Sequence, residues 1–361
     1  MSKLDELIKK YCPNGVEYKR LQNVLTIKNG RDYKNLKCGD IPVYGSGGIM
    51  THVDSYVYNK PSVLIPRKGS IDKLYYVDVP FWNVDTIFYT EINTKIVLPR
   101  YVFHCLLKEH LEKLNTAGGV PSLTQKVLNN VIIPVPPLPV QEEIVRILDS
   151  FTSLTAELQA ELQARKKQYE YYCELLLSDN IDSPKKKLGD TCLMKSGKAI
   201  KASMLSSVLD DKHHYPCYGG NGIRGYISKV SHHGEFPIIG RQGALCGNVN
   251  YAVGDFYATE HAVVVKSLGE YTQRYLFYLL KSMKLNQYKS QGAQPGLAVG
   301  NIENLEASVP DLEKQNKIVK ILDRFDRLCN DLTTGIPAEI AACKKQYEYY
   351  RDKLLTFKEL S

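Results

Sequence analysis

Two stretches of the chain carry their apolar residues at alternating steps of four and three, the spacing of a helix that packs one face against another helix. The seam of the first stretch is Ile144, Leu148, Phe151, Thr155, Leu158, Leu162, Arg165, Tyr169, Tyr172 and Leu176. The seam of the second is Ile318, Leu322, Phe325, Cys329, Leu332, Ile336, Ile340, Cys343, Tyr347, Tyr350 and Leu354. We therefore predict two long helices that pack antiparallel through heptad seams.

The regions ahead of each long helix alternate short β-branched or aromatic runs with Gly, Pro, Asn and Asp, which is typical of β-rich domains. One such region covers residues 21–135 and the other covers 188–309. Each also contains one predicted helix, from Pro99 to Asn115 in the first and from Tyr271 to Tyr288 in the second. The predicted fold class is α+β, with small helices inside two β-rich domains.

The two halves of the chain repeat one another. The heptapeptide Lys-Lys-Gln-Tyr-Glu-Tyr-Tyr occurs at residues 166–172 and again at 344–350, and the run 141–151 corresponds to 315–325. The helices match closely, whereas the β-rich regions match only at scattered positions. Two copies predict a pseudo-twofold molecule with a cyclic order of elements, whose N-terminal and C-terminal segments must meet. Duplex DNA is a common pseudo-twofold partner.

The repeat has one irregularity. The offset between the halves is 174 residues at Ile144 and Ile318 but 178 at Lys166 and Lys344, so the second helix has four extra residues. Such an insertion interrupts a heptad seam. Gly335 is close to the insertion and, with a proline two residues later, predicts a kink or a break there.

Composition narrows the classes that remain. The formal net charge of +8 fits a nucleic-acid-binding protein but also many soluble enzymes. Nine cysteines, none at Cys-x-x-Cys spacing, predict free thiols and a cytoplasmic location. No signal peptide and no membrane span are expected. The segment 179–187, which ends in three lysines, is interpreted as a solvated linker.

No pattern in the sequence predicts catalysis, a cofactor or a metal. The Asn-Pro-Pro-aromatic and Asp-Pro-Pro-Tyr motifs of adenine methylases are missing, and no Gly-rich cofactor fingerprint follows a first strand. Pro310, Asp311 and Glu313 lack the spacing of a nuclease carboxylate site. The spacing of His213, His214 and Cys217 matches no common set of metal ligands. We therefore expect a non-catalytic protein.

Two loops and two arginines remain as candidates for binding. The Gly-rich segments 44–49 and 218–223 follow strands, and we favour tight turns over DNA-facing loops for both. Arg67 and Arg241 occupy matching positions ahead of a glycine, and a recurring arginine favours DNA contact over a surface ion pair. Gln242 follows the second of them and is a candidate for pairing with adenine.

These residues resemble the specificity (S) subunits of type I restriction-modification systems over essentially the whole chain. The resemblance rests on the repeated helices, with their Ile-Val-basic-Ile-Leu-Asp and Lys-Lys-Gln-Tyr-Glu-Tyr-Tyr runs, and on the doubled Ala-Glu-Leu-Gln tetrad at 156–163. It implies two target recognition domains that read the halves of a bipartite, asymmetric DNA site. The implied partners are double-stranded DNA, two methyltransferase (M) subunits and, through them, restriction (R) subunits.

The resemblance also divides the chain and suggests site residues. It implies a first recognition domain at 1–139, spacer helices at 140–180 and 311–361, and a second recognition domain at 181–310. The DNA-binding candidates are Arg31, Tyr44, Ser46, Arg67, Lys68, Ser70, Ser122, Lys198, Asn221, Arg224, Arg241 and Gln242. The candidates for docking M subunits are Lys166, Lys167, Tyr171, Lys344, Lys345 and Tyr349. Cys343 departs from the pattern, because Arg165 stands at the matching position of the first half.

Two other functions stay open on the residues alone. One is a coiled-coil scaffold that pairs two β-rich ligand-binding modules without DNA. The other is the specificity component of a combined methylase-nuclease. Duplex binding that depends on both salt and sequence would argue against the first.

Overall fold

The computed structural model describes residues 2–115, 119–178, 183–243, 245–291 and 295–360. The chain divides into two compact units, and each is described by itself. Unit 1 comprises residues 1–159 and 339–361, and unit 2 comprises residues 160–338. The helices are α1 (Lys3–Tyr11), α2 (Pro99–Lys108), α3 (Gln125–Asn129), α4 (Leu138–Leu177), α5 (Leu188–Thr191), α6 (Gln273–Ser282), α7 (Val299–Glu303), α8 (Leu312–Asn330) and α9 (Ile336–Leu354).

The strands fall into the two predicted β-rich regions, apart from one three-residue strand just ahead of each region. Those of unit 1 are β1 (Tyr18–Arg20), β2 (Leu25–Asn29), β3 (Ile41–Gly45), β4 (Gly48–Val53), β5 (Ser62–Pro66), β6 (Tyr75–Val77), β7 (Trp82–Asn83), β8 (Ile87–Ile92) and β9 (Ile132–Pro134). Those of unit 2 are β10 (Lys185–Lys187), β11 (Cys192–Ser196), β12 (Tyr215–Gly219), β13 (Gly222–Ile227), β14 (His232–Gly240), β15 (Val249–Ala258), β16 (Ala262–Ser267) and β17 (Glu306–Ser308).

The sheets of unit 1 are short. They have the orders β2-β8-β5-β6, β4-β3-β7 and β1-β9. The fully buried strand β5 and the helix α2 contribute to one hydrophobic core, which α4 closes with Ile144 and Leu148. The β-rich domain and the first half of α4 thus fold as one body.

Unit 2 has the same plan but one large sheet, ordered β11-β16-β14-β15-β12-β13, beside the ribbon β10-β17. Its core joins α6 to Ile318 and Leu322 of α8 and to Tyr169 of α4. The prediction of two β-rich domains joined to long helices is confirmed in both units.

Burial along α4 confirms the first predicted seam. Between residues 153 and 167, only Thr155, Leu158, Leu162 and Arg165 are partly buried, and all the others are exposed. In unit 1, Phe151 of α4 stacks on Tyr350 of α9 at 5.4 Å between ring centroids. Unit 2 repeats this contact with Tyr172 and Phe325 at 5.3 Å.

The predicted break in the second long helix is also confirmed, because α8 ends at Asn330 and α9 begins at Ile336. Asp331 caps the turn between them by accepting hydrogen bonds from the backbone N–H groups and hydroxyls of Thr333 and Thr334. A Cβ on Gly335 would lie 2.5 Å from the carbonyl oxygen of Arg327, so only glycine fits. The seam assignment of Leu332 is wrong, since its side chain is 80% exposed in this turn.

Three further expectations need correction. The helix that begins at Pro99 ends at Lys108, and the one in the region 271–288 spans only Gln273–Ser282. Both stop because the next turn starts at a left-handed residue, His110 (φ 49°) or Lys284 (φ 47°), and continues as a 3-10 helix. The lysines at 185–187 are not linker but form β10, which pairs with β17. Residues 179–182 of the expected linker lie outside the described residues.

The two ends of the chain meet within unit 1, as the cyclic order requires. Val16 donates a backbone hydrogen bond to Lys358, and Leu360 donates one back to Val16. The hydroxyl of Tyr18 donates to the carbonyl of Phe357 at 3.0 Å. Among the described residues, no helix combines the length and the apolar character that crossing a membrane requires.

Candidate nucleic-acid interface

In unit 1, two loops meet at one edge of the β-rich domain. The hairpin of β3 and β4 turns at residues 45–48, where Gly45 faces Gly48 (φ 117°). The hydroxyl of Tyr75 donates to the carbonyl of Ser46 at 3.2 Å and fixes this turn. The second loop, residues 67–70, packs beside it, since a Cβ on Gly69 would lie 3.6 Å from Oγ of Ser46. The expected tight turn is therefore present.

Unit 2 builds the same pair of loops. The hairpin of β12 and β13 turns at residues 219–222, where Gly219 faces Gly222 (φ 83°). A Cβ on Gly220 would lie 2.5 Å from the carbonyl oxygen of Gln242, so the second loop presses directly on the turn. Residue 244 of this loop lies outside the described residues.

Arg67 and Arg241 hold these loops in equivalent ways. The backbone N–H of Arg67 donates to Thr86 and that of Arg241 donates to His261, both at 2.9 Å. The carbonyl of Arg67 accepts a hydrogen bond from the N–H of Leu123, and that of Arg241 accepts one from the N–H of Leu297. The guanidinium of Arg67 donates to Asn29 at 3.3 Å and lies 5.0 Å from the ring centroid of Phe88. Both arginines are partly buried, so one side of each guanidinium is committed to the fold.

The Arg241 side chain makes the matching contact with Ser196 at 2.9 Å. In each unit the acceptor is the last residue of an equivalent strand, β2 in unit 1 and β11 in unit 2. The glycine that follows this strand is confined, because a Cβ on Gly30 would lie 2.0 Å from the carbonyl oxygen of Val84, and one on Gly197 would lie 2.0 Å from that of Ala258. The two β-rich domains therefore share a backbone scaffold.

Most of the other predicted residues of unit 1 lie at the same edge. Lys68 bridges to Ser122, which brings the loop at 121–122 alongside the arginine loop. Ser70 follows in the same loop and is partly buried. Arg31 is exposed beside them, with its backbone N–H bonded to the carbonyl of Asn83.

Tyr44 differs from these residues, because its ring packs inward. Its centroid lies 5.9 Å from that of Tyr75 and 6.3 Å from that of Phe81. Burial raises the pKa of its hydroxyl. This contact makes it a core residue of the hairpin.

In unit 2, the predicted residues surround the hairpin turn. Arg224 and Gln242 are exposed, and Gln242 bridges to Gly296 in the same way that Lys68 bridges to Ser122. The amide of Asn248 donates to Oδ1 of Asn221 at 3.2 Å. Lys198 is exposed, with its backbone N–H bonded to the carbonyl of Ala258.

A shallow depression opens beside each hairpin turn. The one in unit 1 has a volume of about 780 Å³, and the one in unit 2 about 650 Å³. Gly45 and Gly219 occupy equivalent places in the walls of the two depressions. Four other aligned pairs of residues do the same: Ser46 and Gly220, Gly47 and Asn221, Met50 and Arg224, and Thr86 and His261. The backbone of the wall is repeated, while its side chains are not.

The sequence interpretation missed a set of buried anchors that join each β-rich domain to its long helices. The Oε1 atom of Gln141 accepts from Leu98 N–H at 2.9 Å, and its Nε2 donates to the carbonyls of Ile96 and Pro136. Gln315 makes the matching three bonds in unit 2. Both amides are fully buried. The sequence signal was limited to their spacing, because these glutamines are 174 residues apart like the helix seams.

A charged anchor accompanies each glutamine. In unit 1, Arg100 of α2 donates to Asp149 of α4 at 2.8 Å. His104 bridges the same carboxylate, at 2.8 Å from Nε2, to the hydroxyl of Tyr347 on α9, at 2.9 Å from Nδ1. Since a carboxylate only accepts, Nε2 carries the proton and Nδ1 accepts from Tyr347. Burial lowers the pKa of His104, although Asp149 opposes the shift.

Unit 2 has the same arginine–aspartate pair with a tyrosine in place of the histidine. Arg274 donates to Asp323 at 2.7 Å, and the hydroxyl of Tyr278 donates to the same oxygen at 2.5 Å. Burial raises the pKa of Tyr278, and its hydrogen bond to Asp323 raises it further. The two β-rich domains thus attach to their helices at equivalent positions through different side chains.

The predicted docking tyrosines are exposed on the helices. The side chains of Tyr171 and Tyr349 are each 60% exposed, next to exposed Lys166 and Lys167 in one copy and Lys344 and Lys345 in the other. Cys343 does not share this face. Cys343 is buried, and its sulfur accepts a hydrogen bond from the hydroxyl of Thr155 at 3.2 Å. Cysteine in place of the arginine found at residue 165 therefore affects a contact between two helices of unit 1.

The cysteines and histidines form no evident metal centre. All nine cysteines are free thiols. Within the described ranges, no group of three or more His, Cys, Asp or Glu residues is arranged to hold a metal ion.

Comparison with known proteins identifies the family. The sequence matches the type I restriction modification DNA specificity domain twice, over residues 13–165 and 180–342. The chain belongs to this family. It is 31% identical to a putative type I restriction enzyme specificity subunit of Haemophilus influenzae, over 95% of the chain and 96% of that protein. As a specificity subunit, it is the non-catalytic component of a type I system.

A second relative is closer over a shorter span. The chain is 46% identical to the type I restriction enzyme EcoprrI specificity subunit of Escherichia coli, but the alignment covers 64% of the chain and only 61% of that relative. Among solved structures, the S subunit of a type I restriction-modification system from M. genitalium matches with a TM-score of 0.68 at 15% identity, over 94% of this chain and 96% of that one. This structural likeness supports the fold.

Proposed function

We propose that this specificity subunit reads a bipartite, asymmetric DNA site, with one half read by each unit. The observation that carries the proposal is the repeated pair of loops, which presents different exposed side chains on the same backbone scaffold. A protein that must recognise two different short sequences needs this combination. The overall basic charge of +8 favours association with the phosphate backbone.

The DNA-contacting residues that we propose lie on and beside these loops. In unit 1 the exposed candidates are Arg31 and Lys68, with Ser46, Ser70 and Ser122 beside them. In unit 2 they are Lys198, Asn221, Arg224 and Gln242. Arg67 and Arg241 are proposed to contact DNA with the side of the guanidinium that the fold leaves free. Tyr44 is assigned to orienting the hairpin, because its ring packs on Tyr75 and Phe81.

We further propose that each exposed helix face docks one methyltransferase subunit, and that restriction subunits join through these. Tyr171 and Tyr349 support this assignment, because a 60% exposed aromatic occurs at the same place in both copies of the heptapeptide. Aromatic side chains are enriched at the centres of protein interfaces. The flanking lysines add positive charge that an acidic partner surface would complement.

We place this activity in the cytoplasm, and the nine free thiols support a reducing compartment. The direct test is to sequence the methylome of a host that carries the chain together with the methyltransferase subunit of its own system. We expect methylation at one bipartite, non-palindromic sequence. Methylation without sequence preference, or duplex binding that depends on salt alone, would refute the proposal and favour a scaffold without DNA-reading function.

A further inference from the structure

Two aligned positions on the reading edge differ in chemistry although their backbones are equivalent. The first is occupied by Met50 in unit 1 and by Arg224 in unit 2, and both lie on the second strand of the hairpin. The second is occupied by Lys68 and Gln242, which follow the equivalent arginines. We name these the hairpin position and the loop position.

The side chain at the hairpin position crosses the equivalent turn glycine in both units. A Cβ on Gly45 would lie 2.5 Å from the sulfur of Met50, so the Met50 side chain lies across the turn glycine. A Cβ on Gly219 would lie 3.7 Å from the Cβ and Cδ atoms of Arg224, which crosses the equivalent glycine. The two side chains therefore leave the turn from the same place and enter equivalent depressions.

The loop position is fixed by backbone pairing. Lys68 bridges to Ser122, and Gln242 bridges to Gly296, in an antiparallel manner in both units. The residue before each is held by its N–H bond to Thr86 or His261. The directions of the two side chains are thus set by the same backbone bonds.

Nothing in the described fold requires the particular side chain at either position. All four side chains are exposed, and Met50 has 57% of its surface exposed although it is apolar. Among the described residues, none of the four makes a side-chain hydrogen bond or an ion pair. The neighbouring glycines and arginines, which do have structural contacts, are identical in the two units.

The four side chains differ in the base edges that they suit. Arginine donates two hydrogen bonds to guanine, and glutamine pairs with adenine through N6 and N7. Lysine also suits guanine, whereas an apolar side chain suits the methyl group of thymine. The shared backbone with exchanged side chains matches what two readers of different sequences require.

We propose that the hairpin and loop positions are the specificity-determining positions of both units, and that their side chains contact base edges in the major groove. This inference rests on the proposed function of DNA reading. It adds Met50, which sequence patterns did not indicate, and it assigns Lys68, Arg224 and Gln242 to bases rather than to phosphates. It also predicts that the two units can exchange their side chains at these two positions.

The test transfers the unit 2 side chains to unit 1 by the double substitution Met50→Arg and Lys68→Gln. The variant is assembled with its own methyltransferase subunit, and its preference is read by methylome sequencing and by selection from a library of randomised duplexes. We expect the half-site of unit 1 to change at one or two base pairs, by roughly 5- to 150-fold at each. The other half-site and the spacing between the halves should not change. Met50→Leu is the matched control, since it retains an apolar side chain and should leave the half-site of unit 1 unchanged.

Each other outcome decides against the inference. An unchanged half-site with normal methylation would show that the bases are read elsewhere, while the proposed function would stand. An equal loss of binding to all sequences, with assembly and melting temperature unchanged, would assign these residues to phosphates. If the unsubstituted chain shows no sequence preference in the same assays, the proposed function itself fails.

Discussion

The two units share their anchors and differ in their sheets. The three hydrogen bonds of Gln141 recur at Gln315, and the Arg100–Asp149 pair recurs as Arg274–Asp323. These groups join a β-rich domain to a helix. Their repetition shows that these contacts between the β-rich domain and its helix are the same in both units.

The sheets differ in the pairing of two central strands. In unit 2, β14 and β15 pair without interruption from His232↔Phe256 to Ile239↔Val249, which joins the sheet into one. In unit 1, Tyr58↔Phe81 and Ser62↔Val77 flank a gap in the pairing, and Pro61 and Pro80 lie at its edges. Proline has no N–H to donate to a ladder, so both residues fit the edges of the gap. Pro237 of β14, in contrast, is accommodated within the continuous ladder of unit 2. The sheet pairing thus differs between the units, whereas the glutamine contacts and the arginine–aspartate pair are the same.

The strongest test of the shared scaffold is to remove its confined glycines. Gly30→Ala and Gly197→Ala place a methyl group about 2.0 Å from a carbonyl oxygen in unit 1 and unit 2 respectively. Since that oxygen belongs to the backbone, the strand must shift, and we expect each unit to lose about 3 kcal/mol or more of stability. Hydrogen exchange mapped to each unit measures the loss.

The matched control is Gly300→Ala in α7, where an added Cβ would meet nothing within 4 Å. Alanine favours helix over glycine by about 1 kcal/mol, so this variant should be as stable as the original or more so. A scaffold that tolerated alanine at residue 197 but not at residue 30 would break the equivalence of the two units.

The second test concerns the buried amides. Gln141→Met or Gln315→Met should cost about 3 kcal/mol in its own unit, because a buried N–H and two carbonyls would lose their partner. Urea unfolding followed by exchange in each unit gives the measurement. Gln163→Met, at an exposed position on α4, should change stability by less than about 0.5 kcal/mol. Unequal costs at residues 141 and 315 would show that the two attachments are not equivalent.

The third test addresses the helix faces. Removing both exposed rings by Tyr171→Ala and Tyr349→Ala should weaken association with the methyltransferase subunit by about 2 kcal/mol or more for each ring that anchors the interface. The melting temperature should not change, since both side chains are 60% exposed. Each single variant should reduce the stoichiometry in co-purification by one subunit. Normal stoichiometry in the double variant would remove the docking assignment.

Sequence reasoning was most successful where periodicity carries the information. The seam of α4 and the break near Gly335 follow from spacing alone, since a heptad pattern and its interruption are local properties. The helix ends near His110 and Lys284 were not predictable, because left-handed residues other than Gly and Asn carry no strong signal. The inward packing of Tyr44 depends on Tyr75 and Phe81, which are distant in sequence.

The buried anchors are intermediate in how well the sequence predicts them. Gln141 and Gln315 stood in matching runs, but periodicity marks apolar faces and gives no reason to expect a buried amide. The role of His104 was also hidden, because its counterpart in the repeat is Tyr278. A buried polar network becomes visible only when the helices that supply it are packed together.

The smallest expected effect is a difference in pH response between the attachments of the two β-rich domains to their helices. His104 is neutral and fully buried between Asp149 and Tyr347, and burial lowers its pKa below the ordinary value of 6.5. A group whose pKa is lower in the folded state stabilises the fold fully above the unfolded value, and that stability is lost as the pH falls towards the folded value. The groups that face the ring are Asp149, Arg100, Tyr347 and Arg351.

We therefore expect acidification below pH 6.5 to loosen the α2–α4 attachment of unit 1 more than the α6–α8 attachment of unit 2. Hydrogen exchange at pH 7.5 and 5.5, corrected for intrinsic rates, compares the two within one molecule. His104→Tyr installs the residue that unit 2 uses and should remove the difference, because the phenol stays neutral over this range. If the substituted and original chains respond alike to acid, His104 does not control the attachment of unit 1.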